Sequence, residues 1–375
     1  MSESDETSNS EITEEQLKSL FPSRHGRPGD VFMETLKRDG LIAAPGVYDA
    51  MGGHIAKKIY EELAAVGLPC TFNAVYEGHW STSAMLLRKP DMGFVSKYFD
   101  FIMTNAQFTV SEAYPLPLIF DIETGFGDAV GLPLVVQRCD NAGIAIMHLE
   151  DQEDPRRCGN LIGKWCAEPS DVINKIRSCL ITIGHFGSSL RLMVRTDALT
   201  AANGGFNEAV ERGKRYMSVE VNGLRPTILW ADAMYRPDHI DNWINEFRKF
   251  DPNIILGINY SPNRDWTPHV YKQKFGQLPP TYQDLYKNGK GFSIIWHTIL
   301  QARSDMESTW NTFYDMAQNG AEALWRLQNR QRYHPVGDAQ AMSGVKEAQA
   351  FEKWLGGDST IERYEKSEGY KGDNK

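Results

Sequence analysis

The chain has no run of about 18 apolar residues, and this excludes a membrane-spanning helix. Cysteine is scarce: five residues, an odd number, with no CxxC pair and no framework spacing. That excludes a disulfide scaffold and points to reduced thiols and a cytoplasmic location. Basic residues are too few to grip a phosphate backbone, since 40 Lys and Arg stand against 49 Asp and Glu for a net charge of −9. Nucleic-acid binding is therefore excluded, whereas a local site for a metal or a small anion is not. There is no HxH or HExxH zinc spacing, and "LIAAPGVYDA" has one glycine where a dinucleotide loop needs three. The N-terminal "MSESDETSNSEITEEQ" lacks the basic and apolar regions of a secretory signal and the Arg-rich character of a transit peptide. Residues 1–25 read as a disordered acidic tail.

The rest of the chain alternates short apolar strands with amphipathic helices. "GLIAAPGV", "CTFNAVYEG", "PLPLIFDIETG", "IAIMHLEDQ", "LRLMVRTDA", "RPTILWADA", "NIILGINYS" and "GFSIIWHT" read as strands, and at least six end in polar or charged residues. Such alternation marks a parallel α/β architecture. The number of repeats favours a closed (β/α)8 barrel over a doubly wound open sheet, with the active site at the strand C-termini. The expected organisation is a barrel over 26–300 followed by C-terminal helices over 301–375.

Chemistry gathers at those strand ends. Asp121 and Glu123 lie two apart in extended structure and share a face, and Glu150 with Asp151 ends a later strand. Converging carboxylates repel one another unless a cation intervenes, and Mg2+ suits a site of few carboxylates. Singly, each acid reads equally as a helix cap or an Arg partner. Cys158, in "EDPRRCGN", lies beside Arg156 and Arg157. It reads as an inert loop thiol or as one whose basic neighbours favour thiolate, exchanging a proton near neutral pH. The other four cysteines read as buried small hydrophobes. Arg195 is placed to clamp a carboxylate in a fork or to pair with Asp197. Asn259, Ser261 and Asn263 in "NYSPNRDW" offer donors to a second carboxylate or simply make a turn. His79 and His297 have no evident partner and read as structural.

Together "FDIETGFGD", "HLEDQ", "RRCGN", "RTDA" and "NYSPNRDW" resemble the isocitrate lyase and phosphoenolpyruvate mutase superfamily, and isocitrate lyase most closely. The similarity runs from "GLIAAPGVYDA" to the C-terminal helices. It implies a (β/α)8-type barrel with C-terminal helices exchanged between subunits, usually in a homotetramer. It also implies Mg2+, with Mn2+ an acceptable substitute. By position, Asp121 matches the direct metal ligand, and Asp91, Glu123 and Glu150 match carboxylates that hold metal-bound water. Arg195 matches the arginine near the 2-oxo acid, and Cys158 the thiol that protonates the departing carbanion. The family's Cys-Gly-His motif here ends Cys158-Gly159-Asn160, and an asparagine carries no titrating proton. Gly78 and Trp80 match the Ser-Gly-Trp substrate loop only approximately, and Asn263 replaces a serine.

The resemblance implies a Mg2+-dependent carbon–carbon lyase. It would cleave a di- or tricarboxylate bearing a 2-hydroxy group to a 2-oxo acid such as glyoxylate and a dicarboxylate. Two further readings stand beside it: an oxaloacetate-type hydrolase or phosphonate mutase on the same scaffold, and a degenerate, non-catalytic member.

Overall fold

The computed structural model describes residues 26–367, so the acidic tail of 1–25 lies outside the described residues. The described residues form two compact units, 26–304 and 305–367. In the first, eight strands close a ring: β1 (Ile42–Val47), β2 (Val75–Glu77), β3 (Leu118–Asp121), β4 (Ile146–Glu150), β5 (Arg191–Thr196), β6 (Ile228–Ala231), β7 (Ile255–Asn259) and β8 (Ile294–His297). All neighbours are parallel, and β8 pairs with β1 in the register Ile42↔Ile294. That pairing makes the expected barrel and excludes the open sheet. Every residue of β3, β4 and β6 is buried, as a parallel sheet wrapped in helices requires.

The helices α1 (Pro28–Asp39), α2 (Ala50–Ala65), α3 (His79–Leu87), α4 (Phe99–Ala113), α5 (Leu132–Ala142), α6 (Pro169–Phe186), α7 (Phe206–Met217), α8 (Pro237–Phe250), α9 (Pro268–Phe275) and α10 (Tyr282–Tyr286) form the outer layer. Proline opens α6 and α8, where its missing N–H has no helical acceptor to lose. One apolar layer packs between sheet and helices, with Val136, Leu149, Ile176 and Leu192 in it. A second fills the barrel interior, where Phe32 of α1 joins Ile119, Met193, Trp230 and Trp296. The interior aromatics interlock: Trp230 meets Trp296 edge-on at 4.8 Å, and Tyr76 stacks on Trp296 at 5.6 Å. Gly257 on β7 makes room for them, since a Cβ there would lie 2.8 Å from the Trp296 ring.

One strand is shorter than its sequence suggests. "CTFNAVYEG" contributes only three residues to β2. The Asn73 side chain accepts from Ala43 N at 3.0 Å and donates to Leu41 O at 2.9 Å, while its backbone N donates to Ala43 O at 3.0 Å, so before Val75 side-chain and backbone bonds to β1 are mixed.

The second unit is helical. Within α11 (Leu300–Asn319), Met306, Trp310, Phe313 and Tyr314 are all exposed. Their spacing of four, seven and eight places them on one stripe.

At the end of β2, Glu77 is fully buried, and only Oε1 has a hydrogen bond, from Asn105 Nδ2 at 2.9 Å. Burial pushes its carboxyl up from 4.5 to about 7. The folded state therefore holds a proton that the unfolded chain releases. This contribution is complete below pH 4.5 and lost as pH rises through 7, on the order of 3 kcal/mol at alkaline pH. Glu77→Gln is expected to be more stable than the parent at pH 8, with the advantage shrinking by pH 5. Denaturant titrations at both pH values check this, and an advantage that does not grow with pH contradicts it.

Candidate active site

The polar strand ends converge at the C-terminal mouth of the barrel, around a cavity of about 40 Å3. That is room for roughly three water molecules. Of the thirteen residues singled out from the sequence, ten line it: Gly78, Trp80, Asp91, Asp121, Cys158, Gly159, Asn160, Arg195, Asn259 and Asn263. Glu123, Glu150 and Ser261 stand behind them and act through neighbours.

On one side lie the carboxylates. Asp121, last residue of β3, accepts from Glu123 N at 2.7 Å and from His79 N at 3.4 Å, and its Oδ1 lies 3.3 Å from His148 Nε2. Burial alone would raise its carboxyl, yet His148 and His79 hold it well below the usual carboxylate range. Glu123 takes a left-handed backbone, φ 51°, as the chain leaves the strand. Its Oε1 lies 3.5 Å from His79 Nδ1 and 3.3 Å from Arg156 Nη1. Arg156 is almost fully buried, donating from Nε to Glu150 at 2.6 Å and from Nη1 to Asp91. Glu150 also meets Arg195 Nη1 at 3.0 Å, and burial still pushes its carboxyl up to about 8.

These contacts overturn the expectation of a thiol that ionises near neutral pH. Arg156 is turned toward the carboxylates and away from service to Cys158, while Arg157 is tied through its backbone to the Gln152 amide at 3.0 and 2.7 Å. Burial, and next Asp91, push the Cys158 thiol up to about 12. At neutral pH this favours the thiol over the thiolate.

The opposite side is built on Arg195. Its Nε and Nη2 fork onto Asp197 at 2.8 and 3.0 Å, and its guanidinium lies 4.6 Å from the centre of the Trp230 ring. The pairing with Asp197 considered from sequence is real, so a ligand would meet the remaining N–H groups of Arg195 rather than a free fork. Lys164 reaches Asp197 at 2.9 Å and Asp232 at 3.8 Å. Beyond them the wall is neutral: Asn160 Nδ2 donates to Ser261 Oγ at 3.0 Å, and Asn259 Nδ2 to Asp232 Oδ1 at 3.4 Å. Gly159 sits between the two sides. A Cβ there would fall 1.8 Å from Asp232 Oδ2 and 2.5 Å from Arg195 Nη2.

Sequence reasoning missed four participants. His79, read as structural, is fully buried on the cavity wall. Asp232 directly follows β6 in "RPTILWADA" and shared the strand-end signal of the other acids. Tyr76 lines the cavity with its hydroxyl 3.0 Å from His148 Nε2. Lys164 carried no local signal. His297 is structural as read, held at 2.6 Å by Tyr282 OH and absent from the lining.

Residues 32–220 match the family model described as phosphoenolpyruvate phosphomutase. The chain belongs to the phosphoenolpyruvate mutase/isocitrate lyase superfamily. Isocitrate lyase of Haloferax volcanii is 27% identical over 339 residues, covering 90% of this chain and 89% of the relative. The structure of oxaloacetate acetylhydrolase in complex with the inhibitor 3,3-difluorooxalacetate superposes with a TM-score of 0.69 at 20% identity, over 88% of this chain and 98% of that one. A phosphonopyruvate hydrolase complex with oxalate and Mg2+ superposes at 0.60 and 18% identity, over 83% of this chain and 98% of that one. Both likenesses place this superfamily member on the same barrel fold.

The donor set fits a hard cation. Six buried carboxylates (Asp91, Asp121, Glu123, Glu150, Asp197 and Asp232) face three buried fixed cations, Arg156, Arg195 and Lys164. Glu123 Oε1, Glu150 Oε2 and Asp232 Oδ2 are buried without a hydrogen bond, although each lies within 4 Å of an Arg or Lys nitrogen. Among the described residues no three His, Cys, Asp or Glu side chains form a ready-made ligand group. An ion here would therefore have to be held by one or two carboxylates and its own waters.

Because position 159 has no room for a side chain, Gly159→Ala is expected to destabilise the fold by about 1–3 kcal/mol through overpacking. Gly127→Ala, whose Cβ would meet nothing within 4 Å, serves as the neutral control. Thermal unfolding of both variants checks this; equal midpoints would show that the loop absorbs the methyl group.

Proposed function

We propose that the chain is a Mg2+-dependent carbon–carbon lyase acting on a 2-hydroxy polycarboxylate of the isocitrate kind, releasing a 2-oxo acid such as glyoxylate and a dicarboxylate. The observation that carries this reading is the placement of the Cys158 thiol on the wall of one cavity that Asp121 and Arg195 also line. Asp121 would hold the ion, with Asp91, Glu123 and Glu150 around it; Mn2+ would serve as well. When bound, the metal supplies Lewis acidity at the oxygens of the 2-hydroxy acid.

The chain's own residues do the rest. Arg195, fixed by Asp197 and Glu150, donates its remaining N–H groups to the carboxylate of the forming 2-oxo acid and favours developing negative charge. A general base takes the proton of the 2-hydroxyl as the adjacent C–C bond breaks, and Cys158 Sγ gives its own proton to the departing carbanion, a role that requires the thiol and not the thiolate. Gly78, Trp80 and Gly159 shape the cavity, and Asn160, Ser261, Asn259 and Asn263 receive the polar end of the second fragment. The complete set of carboxylates with Arg195 weighs against a non-catalytic member. An oxaloacetate-type hydrolase is the second reading: it is favoured by the small cavity and by an Asn160–Ser261 wall without a titrating group.

We also propose a cytoplasmic homo-oligomer, tetramer favoured, in which helices of residues 301–375 are exchanged between subunits. The exposed apolar stripe of α11 supports it, and no helix among the described residues is long and apolar enough to cross a membrane.

Two measurements test these readings. Isocitrate, methylisocitrate, dimethylmalate, citramalate, oxaloacetate and phosphonopyruvate are incubated with enzyme and Mg2+, and 2-oxo acid formation is followed. Cys158→Ser is expected to lower kcat on the true substrate by about 10²–10⁴-fold with little change in substrate binding, because a hydroxyl is a far weaker acid. Normal turnover in that variant transfers the proposal to the hydrolase. Sedimentation at micromolar concentration is expected to show a tetramer or other oligomer, and a monomer refutes helix exchange.

A further inference from the structure

We infer that Arg156 is a tethered cation that competes with the divalent ion for the carboxylate cluster. The inference rests on the metal reading above. Arg156 is almost fully buried and its guanidinium reaches three of the four carboxylates assigned to the ion: Asp91, Glu123 at 3.3 Å and Glu150 at 2.6 Å. Asp121, the fourth, is left to His148 and His79.

A dication brought to Asp121 meets a fixed positive charge at close range and in low dielectric, where repulsion is strong. Arg156 therefore gives up part of its carboxylate contacts as the ion enters. Asp91 then feels the change directly, since it holds Arg156 through its side chain and Cys158 N through its carbonyl at 2.8 Å. Arg156 is a positioning residue that sets metal affinity and stabilises the ion-free protein.

The test is Mn2+ binding, read as loss of the free-ion electron paramagnetic resonance signal, on the full chain without substrate. Thermal midpoints are recorded in chelator and in saturating Mn2+. Arg156→Gln is expected to bind Mn2+ at least tenfold more tightly, to unfold at lower temperature in chelator, and to regain more on Mn2+ addition than the parent. Arg156→Lys, which keeps the charge but loses the fork, is expected to fall between them and covers failure of the first variant to fold. Unchanged or weaker Mn2+ binding in the variants, with normal binding by the parent, overturns the inference and leaves the metal reading standing. Binding by neither parent nor variants overturns both. Asp121→Ala abolishing binding in the Arg156→Gln background shows that the ion measured is the one in this cavity.

Discussion

Burying six carboxylates in one barrel mouth is the constraint on which this structure depends. Each would cost several kcal/mol to desolvate alone, and their mutual repulsion adds to that. Arg156, Arg195 and Lys164 offset the cost, each shared between at least two acids, so no ion pair here is independent of the next. The barrel makes the arrangement possible: parallel strands deliver side chains to one rim, and the interlocked Trp230, Trp296 and Tyr76 provide a rigid floor beneath.

Asp121, Glu123, Glu150, Arg195 and Asn259 were legible in the sequence because each follows a short apolar run whose direction is shared by every other strand. The barrel was legible for the same reason. What periodicity does not encode is which way a loop side chain turns. Arg156 and Cys158 are two residues apart, and local charge suggested that one activates the other. The fold sends the arginine into the acids and leaves the thiol beside Asp91. His79 was missed because one histidine at a helix start has no pattern, and Lys164 because its partners, Asp197 and Asp232, come from β-strand ends far along the chain. The length of β2 was misjudged because at Asn73 the side chain takes part of the bonding to β1 that a regular ladder gives to the backbone alone.

The protonated state of Cys158 has a physical logic of its own. On the proposed lyase reading, a proton donor to a carbanion needs to keep its proton until the carbanion forms, and burial beside Asp91 favours that by pushing the thiol up. A neutral wall at Asn160 and Ser261 does not oppose this, since it adds no cation that would favour the thiolate.

Gly159 has a further consequence. Its backbone is pressed against Asp232 and Arg195 where no side chain fits, and the neighbouring peptide is pinned to Asp91 through Cys158 N. The wall at this point is main chain, fixed by contacts that do not depend on what the flanking side chains are. Positions 158 and 160 thus work like interchangeable fittings on a rigid bracket. Asn160→His is therefore expected to alter the chemistry presented to a ligand without redrawing the path of the chain.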